Sequence, residues 1–305
     1  MHRRRLTRRA AVFSGLAAAA CAPAPSSRVV EAHDDRAQRF FSSVRALESR
    51  VGGRIGVIAL DPANNLRLGH RDNEHFAMCS MFKWLLAAQM LQMAEHSPAF
   101  LDQQVRYNET FLANLGHAPT TRANVARGWM TVRDLAEAAV VQSDNGAANL
   151  LLEGAMGPAG FTRFLRANGD GVTRLDRNEP ELNANLPGDE RDTTTPDAMA
   201  RTMLRFCTTD QVLNAASRET LIGWLVANQT GAARLRAGLP SDWRAGDKTG
   251  TSGGEHNATT DVVIAWPTAR APIAIACFLS ESMVDADARN AAHAEVARTV
   301  VELWS

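Results

Sequence analysis

The chain has 305 residues, 45% apolar and 22% charged, with 33 Lys and Arg against 33 Asp and Glu. This is an ordinary globular composition with room for a large core, and it excludes a disordered chain. Beyond the first 25 residues, which hold five Arg and no acid, 28 basic face 33 acidic residues; that deficit argues against nucleic acid as a partner, and no apolar run is long enough to span a bilayer.

Arg3-Arg4-Arg5 and Arg8-Arg9 precede an apolar run from Ala10 to Ala20, the n-region and h-region of an export signal. Thr7 to Val12 resembles a twin-arginine signal. Cleavage after Ala18-Ala19-Ala20 makes Cys21 the first mature residue, as in a bacterial lipoprotein. Residues 1–21 are therefore read as an export signal and 22–33 as a Pro/Ser-rich tether. Two destinations stay open: a periplasmic or secreted protein, and a lipoprotein anchored at Cys21.

Asp34-Asp35 opens a helix with Phe40, Phe41, Val44, Leu47 and Val51 at helical spacing, and Gly52-Gly53 ends it. Arg54 to Leu60 and Leu66 to Gly69 read as two strands around a turn. Met81 to Glu95 is a helix apolar on most sides. From Val105 to Ala126 no element is assigned. Thr131 with Asp134 is a capping box for the next helix. Asn145 to Ala155 and Gly160 to Ala167 are short helices. Thr173 to Thr195 has no period, and a long structureless stretch in a compact protein is usually functional. Thr195-Pro196 starts a helix to about Cys207. Ala216 to Asn228 is another, stopped by Gly231. Trp243 to Thr251, Thr259 to Trp266 and Ile273 to Ser280 are strand-like, and Asp285 caps a closing helix to Leu303.

Strands at both ends of the chain can pair into one sheet. The predicted class is α/β (α+β): an antiparallel five-stranded sheet flanked by helices, with an all-helical lobe inserted. The sheet domain takes 34–73 plus 216–305, and the helical domain takes 74–215, including the loop 174–192.

Of the 33 basic residues only Lys83 and Lys248 are lysines. Lysine can lose its proton where arginine cannot. Ser80-Met81-Phe82-Lys83 opens the apolar helix, and positions three apart share a face, so the hydroxyl and the amine can meet. A serine becomes a nucleophile when a base takes its proton, and burial lowers the pKa of a lysine enough to do so. Ser80 also sits at the positive end of that helix. Taken alone, the pair is common and reads more readily as an N-capping serine and a surface lysine. Ser143-Asp144-Asn145 lies at a helix junction: Ser143 can pass a proton to a leaving nitrogen, and Asn145 can bind an amide, though the same residues make ordinary turns. In Lys248-Thr249-Gly250 the first two suit a carboxylate, and the glycine lets a ligand backbone approach the strand; an edge-strand lysine that blocks aggregation reads the same way. A chosen tripeptide occurs by chance in roughly 4% of chains this long, so the three in order are far rarer.

The set resembles the class A serine β-lactamases, from about Asp35 to the C-terminus. Arg177-Asn178-Glu179-Pro180-Glu181-Leu182-Asn183 is similar to that family's E-x-x-L-N element, and Arg177 and Asp192 to the ion pair closing its Ω-loop. The resemblance implies an active site at the interface of sheet and helical lobe, hydrolysing the β-lactam ring of penicillins and cephalosporins through a serine acyl-enzyme and so giving antibiotic resistance. Ser80 attacks the lactam carbonyl, and the backbone N–H groups of Ser80 and Thr251 form the oxyanion hole. Lys83 hydrogen-bonds Ser80, and either it or Glu179 starts acylation. Ser143 protonates the departing nitrogen. Glu179 with Asn183 holds the deacylating water. Lys248, Thr249, Thr251 and Arg234 hold the substrate carboxylate, and the Glu179–Pro180 bond is cis. The physics agrees: an acyl-enzyme ester persists until a carboxylate activates water.

Some features depart from the usual pattern. His117 stands where most members carry Tyr or Trp at the cleft rim. Cys79 precedes the nucleophile as in a carbapenem-hydrolysing subgroup, but its partner position holds Ser252, so that disulfide is not expected. Thr251-Ser252 resembles members with broadened cephalosporin activity. A DD-peptidase and a non-catalytic β-lactam sensor share the three motifs; the E-x-x-L-N element opposes the first and the lack of a membrane helix after the signal opposes the second. The four Cys form no C-x-x-C, and the eight His show no H-x-H-x-D or H-E-x-x-H spacing. No metal and no cofactor is expected; the partner is a small β-lactam, and the chain a monomer.

Overall fold

The computed structural model describes residues 27–304, with side chains from residue 35. The export signal, Cys21 and the start of the tether lie outside the described residues. Helix α1 (Ser27–Val51) begins ahead of Asp34-Asp35, so residues 27–33 are helix and not tether. The reason is local: no Gly or Pro lies between Ser27 and Asp34, and a formed helix extends at little cost. The left-handed Gly52 and Gly53 (φ 72° and 74°) end it.

β1 (Arg54–Asp61) and β2 (Leu66–His70) form an antiparallel hairpin. β3 (Phe76–Ala77) and a 3₁₀ turn, Cys79–Met81, lead into α2 (Phe82–His96), buried on nearly every side. The stretch that the sequence left unassigned folds as β4 (Gln104–Arg106), α3 (Glu109–Leu112) and α4 (Pro119–Ala123), closed by β5 (Trp129–Thr131) pairing back on β4. The Thr131–Asp134 capping box starts α5 (Val132–Val141). α6 (Asn145–Gly154) and α7 (Gly157–Ala167) follow. The loop 174–192 carries one 3₁₀ turn, Glu181–Asn183, and is followed by β6 (Thr193–Thr194), which pairs with β3. Then come α8 (Pro196–Thr208), α9 (Ala215–Val226), β7 (Arg244–Ser252), β8 (Ala258–Trp266), β9 (Ile273–Ser280) and α10 (Ala286–Trp304). Asp285 accepts from Ala288 N–H at 2.8 Å, the predicted cap. Gly231 does not stop α9, which ends earlier; a Cβ at Gly231 would strike the Asp247 carboxylate.

The sheet order is β2-β1-β9-β8-β7, with every neighbour antiparallel. Alternate residues feed opposite faces. Val57, Val263, Ile275 and Leu279 pack under α1 and α10, while Ile58, Val262, Ala276 and Phe278 face the other helices. This double burial explains why β9 reads as an unbroken apolar run. The central helices share one apolar cluster with the sheet's second face, which fixes the two parts against each other. Gly56 lets them meet closely: the Phe76 ring lies 2.2 Å from where a Cβ would be.

His293 of α10 is fully buried against the Thr259 carbonyl (3.1 Å), and burial pushes its imidazole from 6.5 down to about 3. The unfolded chain takes up this proton near 6.5 and the native state only near 3. The contribution of a neutral His293 is therefore complete above that window and lost as pH falls through it. His293→Asn is expected to make the acid loss of Tm shallower between pH ~6.5 and ~4, by calorimetry; an unchanged slope would refute this.

Candidate active site

A cleft of 320 Å³ opens between the helices and the β7 edge, lined by Ser80, His117, Ser143, Asn145, Glu179, Asn183, Thr230, Arg234 and Thr249 to Thr251. Lys83 and Lys248, both fully buried, lie beneath it. The residues singled out along the sequence thus converge in one place.

Ser80 sits in the turn that feeds α2, behind Cys79 at a positive φ of 48°. Its Oγ donates to Glu179 Oε1 at 3.1 Å. Lys83 makes no hydrogen bond to Ser80, which corrects the expected pair. Its Nζ donates to Asn145 Oδ1 (2.6 Å) and Ser143 O (2.8 Å), and is ion-paired with Glu179 Oε1 (2.9 Å). An ammonium has three protons, and these stronger acceptors take them ahead of a hydroxyl. Burial pushes Lys83 below the usual lysine range, with the Glu179 carboxylate working against it.

Ser143, at φ 59°, occupies the α5–α6 junction. Its Oγ accepts from Lys248 Nζ at 3.0 Å and lies 3.5 Å from Lys83 Nζ, whose protons point to its closer acceptors. Both lysines of the chain therefore meet at one hydroxyl. Lys248 is pushed well below its ordinary value by burial and then by the Lys83 charge. The Asn145 amide is mostly occupied within the protein: Oδ1 accepts from Lys83, and Nδ2 donates to Leu115 O at 2.7 Å. One N–H remains for a ligand.

Glu179 follows the loop's bend, and its peptide bond to Pro180 is cis as expected. Asn183 Nδ2 donates to Glu179 Oε2 at 2.6 Å. Arg177 Nε meets Asp192 Oδ2 at 2.5 Å, the predicted closure. Asp192 Oδ1 also accepts from the Asp176 and Arg177 N–H groups (2.7 and 2.9 Å), and its carbonyl accepts from Met78 N–H at 3.0 Å. The loop is thus tied to the turn bearing Ser80.

Arg234 is nearly buried and largely spent on the protein. It donates to Gly250 O and Thr260 O (both 2.8 Å), Asn290 Oδ1 (2.9 Å) and Thr251 Oγ1 (2.6 Å). Thr249 Oγ1 pairs with Thr230 Oγ1. Gly250 serves a different neighbour from the one expected. A Cβ there would lie 2.5 Å from Met78 O and 2.9 Å from Cys79 Cβ, so the Ser80 turn, not a ligand backbone, fills that space. His117 is on the rim, with Nε2 2.9 Å from Gln142 O. Cys79, Cys207 and Cys277 are free and buried; burial pushes the Cys79 thiol up to about 12, beside Ser252.

Sequence reasoning missed two supports. Asn149 exchanges hydrogen bonds with the Glu179 backbone: Nδ2 donates to its carbonyl (2.9 Å) and Oδ1 accepts from its N–H (3.0 Å). Its position four residues after Asn145, on the same helix face, was the available signal. Asp144, read as a turn former, is fully buried. It accepts from Thr120 N–H, Thr121 N–H and Oγ1, and Ala147 N–H at 2.8–2.9 Å, which fixes the rim segment carrying His117.

A family profile described as "Beta-lactamase enzyme family" matches residues 39–304. The chain is 46% identical to "Beta-lactamase L2" of Stenotrophomonas maltophilia over 95% of its length and 94% of the relative's. It is 46% identical to "Beta-lactamase AST-1" of Nocardia asteroides, over 84% and 81% of the two chains. Among solved structures, that of the "Last common ancestor of Gram-negative bacteria (GNCA4) beta-lactamase class A" aligns with TM-score 0.83 and 53% identity, covering 87% of this chain and 99% of the other. A β-lactamase from Xanthomonas campestris pv. campestris aligns with TM-score 0.83 and 42% identity, over 90% and 99%.

Arg177→Ala leaves Asp192 buried with a charge and without its guanidinium. The expected loss is about 1.5–3 kcal/mol of stability, the range for hydrogen bonds to charged groups. Urea unfolding checks it; a loss within ~0.5 kcal/mol, typical of surface changes, would refute it.

Proposed function

Because the chain belongs to the class A β-lactamase family, we propose that it hydrolyses the β-lactam ring of penicillins and cephalosporins through an ester on Ser80. The observation that carries the assignment of roles is Glu179: a buried carboxylate 3.1 Å from the Ser80 hydroxyl, held by Asn183, Lys83 and Asn149.

The steps follow from the contacts. Ser80 Oγ loses its proton into the Lys83–Glu179 pair as it attacks the lactam carbonyl. Negative charge then develops on the carbonyl oxygen, which the Ser80 and Thr251 backbone N–H groups receive. The C–N bond breaks, and the ring nitrogen takes a proton from Ser143, whose hydroxyl is replenished from the neighbouring lysines. The remaining ester has no internal route to hydrolysis. Water positioned between Glu179 and Asn183 gives a proton to the Glu179 carboxylate and attacks the ester carbonyl; the ester C–O bond then breaks, Ser80 Oγ takes that proton back from Glu179, and the open acid leaves. Lys248, Thr249 and Thr251 direct the substrate carboxylate, with Arg234 orienting the Thr251 hydroxyl. Asn145 offers its remaining N–H to the substrate amide, and His117 bounds the rim.

We also assign residues 1–21 to export, leading to the periplasm or medium, with Cys21 as the candidate lipid anchor. No helix of the described residues is long and apolar enough to cross a membrane.

Ser80→Ala is expected to abolish turnover of a chromogenic cephalosporin. Glu179→Ala is expected to slow deacylation by about 10²–10⁴ and to show a penicillin adduct on the intact protein by mass spectrometry. The absence of that adduct would remove Glu179 from its role. Many turnovers per wild-type chain are expected in stopped flow; a stoichiometric burst followed by silence would favour a peptidase or sensor. EDTA is expected to leave the rate unchanged, and a loss restored by zinc would overturn the serine mechanism.

A further inference from the structure

One contact of the loop 174–192 is not used by the chemistry above. Asn185, two positions past Asn183, has a left-handed backbone with φ 44°. Its Nδ2 donates to His256 O (3.0 Å) and Asn257 O (3.2 Å), and its Oδ1 accepts from Ser280 Oγ (3.4 Å). A single amide therefore joins the loop to the turn between β7 and β8 and to the end of β9. Among the described residues, no other hydrogen bond links the loop to that turn.

The turn itself is anchored elsewhere. Glu281 N–H donates to Asn257 O (2.7 Å), Asn257 Nδ2 to Ser282 O (3.0 Å) and Ser252 Oγ to His256 O (3.3 Å). Its tip is Gly253-Gly254, with open space where side chains would be. Asn185 thus fastens the loop to a body already fixed to the sheet.

The cleft's two walls lie on either side of this clasp. The loop contributes Glu179 and Asn183, and β7 contributes Thr249 to Thr251. In the proposed binding mode, with the lactam carbonyl at Ser80 and the carboxylate toward Thr249, the ring's remaining substituent is directed between Asn183 and the end of β7, which line the same cleft. We infer that Asn185 is a specificity-determining positioning residue, whose clasp fixes the gap between loop and β7 and so limits the bulk of the substituent beside the lactam carbonyl. This inference rests on the proposed function and names the part of the substrate that the clasp selects.

Asparagine fits for two reasons. Its amide supplies two donors for two carbonyls, and it tolerates a left-handed backbone better than most residues. Asn185→Asp keeps the shape but turns both donors into acceptors facing carbonyl oxygens. Asn185→Gly keeps the backbone conformation and removes the amide.

The experiment measures kcat and KM of wild type and both variants for benzylpenicillin and for a cephalosporin with a branched oxyimino side chain. In both variants the kcat/KM ratio of the bulky to the compact substrate is expected to rise about tenfold. Hydrogen exchange of the 253–257 segment is expected to quicken at the same time. An active chain whose ratio is unchanged in either variant, or whose variants lose both substrates equally, overturns the inference alone. A wild-type chain inert to both substrates overturns the parent reading and this one with it.

Discussion

The rest of the site is organised around the Lys83–Glu179 ion pair, 2.9 Å long, with both side chains almost wholly buried at the floor of the cleft. Removing two charges from solvent costs several kcal/mol each, and mutual attraction offsets this only when the remaining protons and lone pairs are also bonded. The chain meets that condition. Asn145 Oδ1 and the Ser143 carbonyl take the other lysine protons, and Asn183 and Ser80 donate to the carboxylate. Each bond that satisfies the pair also aims a group at the cleft. The electrostatic requirement and the catalytic geometry are therefore one constraint.

Holding the pair requires elements far apart in sequence to stay in register. Lys83 rides on α2, rigid because it is buried on nearly all sides. Glu179 rides on an irregular loop with no ladder of its own. Asn149 grips its backbone from α6, and the Asp192 carbonyl ties the loop's end to Met78, beside the nucleophile. The loop is thereby held at Glu179 and at its end, while the cleft wall between them carries a single 3₁₀ turn, Glu181–Asn183, and stays open to substrate.

Behind Lys248 lies a second layer of buried charge. Asp247 is paired with Arg236 at 2.8 Å, and Asp261 accepts from Leu235 N–H at 3.0 Å; neither carboxylate is exposed. Burial pushes Asp261 well above the usual carboxylate range, with the nearby Asp247 charge adding to the effect. An acid weakened in this way gives Lys248 less support as a cation, while Lys83 and Arg234 repel it. The consequence is a nitrogen of reduced basicity 3.0 Å from the Ser143 hydroxyl, opposite a second such nitrogen on Lys83. A hydroxyl between two weakened bases is suited to passing protons in either direction.

The sequence by itself determined the elements and the chemistry. Strand-like runs bounded by turn residues placed the five sheet strands, and helical apolar spacing placed the main helices. Turn and cap residues marked their ends, as with Thr131, Asp285 and Gly52-Gly53. The scarcity of lysine marked Lys83 and Lys248, and both proved to be buried under the cleft. These signals are local, and local physics writes them into neighbouring residues. Only the tertiary structure decided which group each side chain serves. Lys83 turned from Ser80 to Glu179, Asn145 and Ser143 because stronger acceptors arrived from other elements. Gly250 made room for the Ser80 turn and Gly231 for the Asp247 carboxylate, not for a ligand and a helix end. Asn149, Asp144 and Asn185 gained their purpose only when the loop and rim folded against them. A hydrogen bond between residues thirty or seventy positions apart has no periodic trace in the chain, because its partner is set by packing and not by neighbourhood.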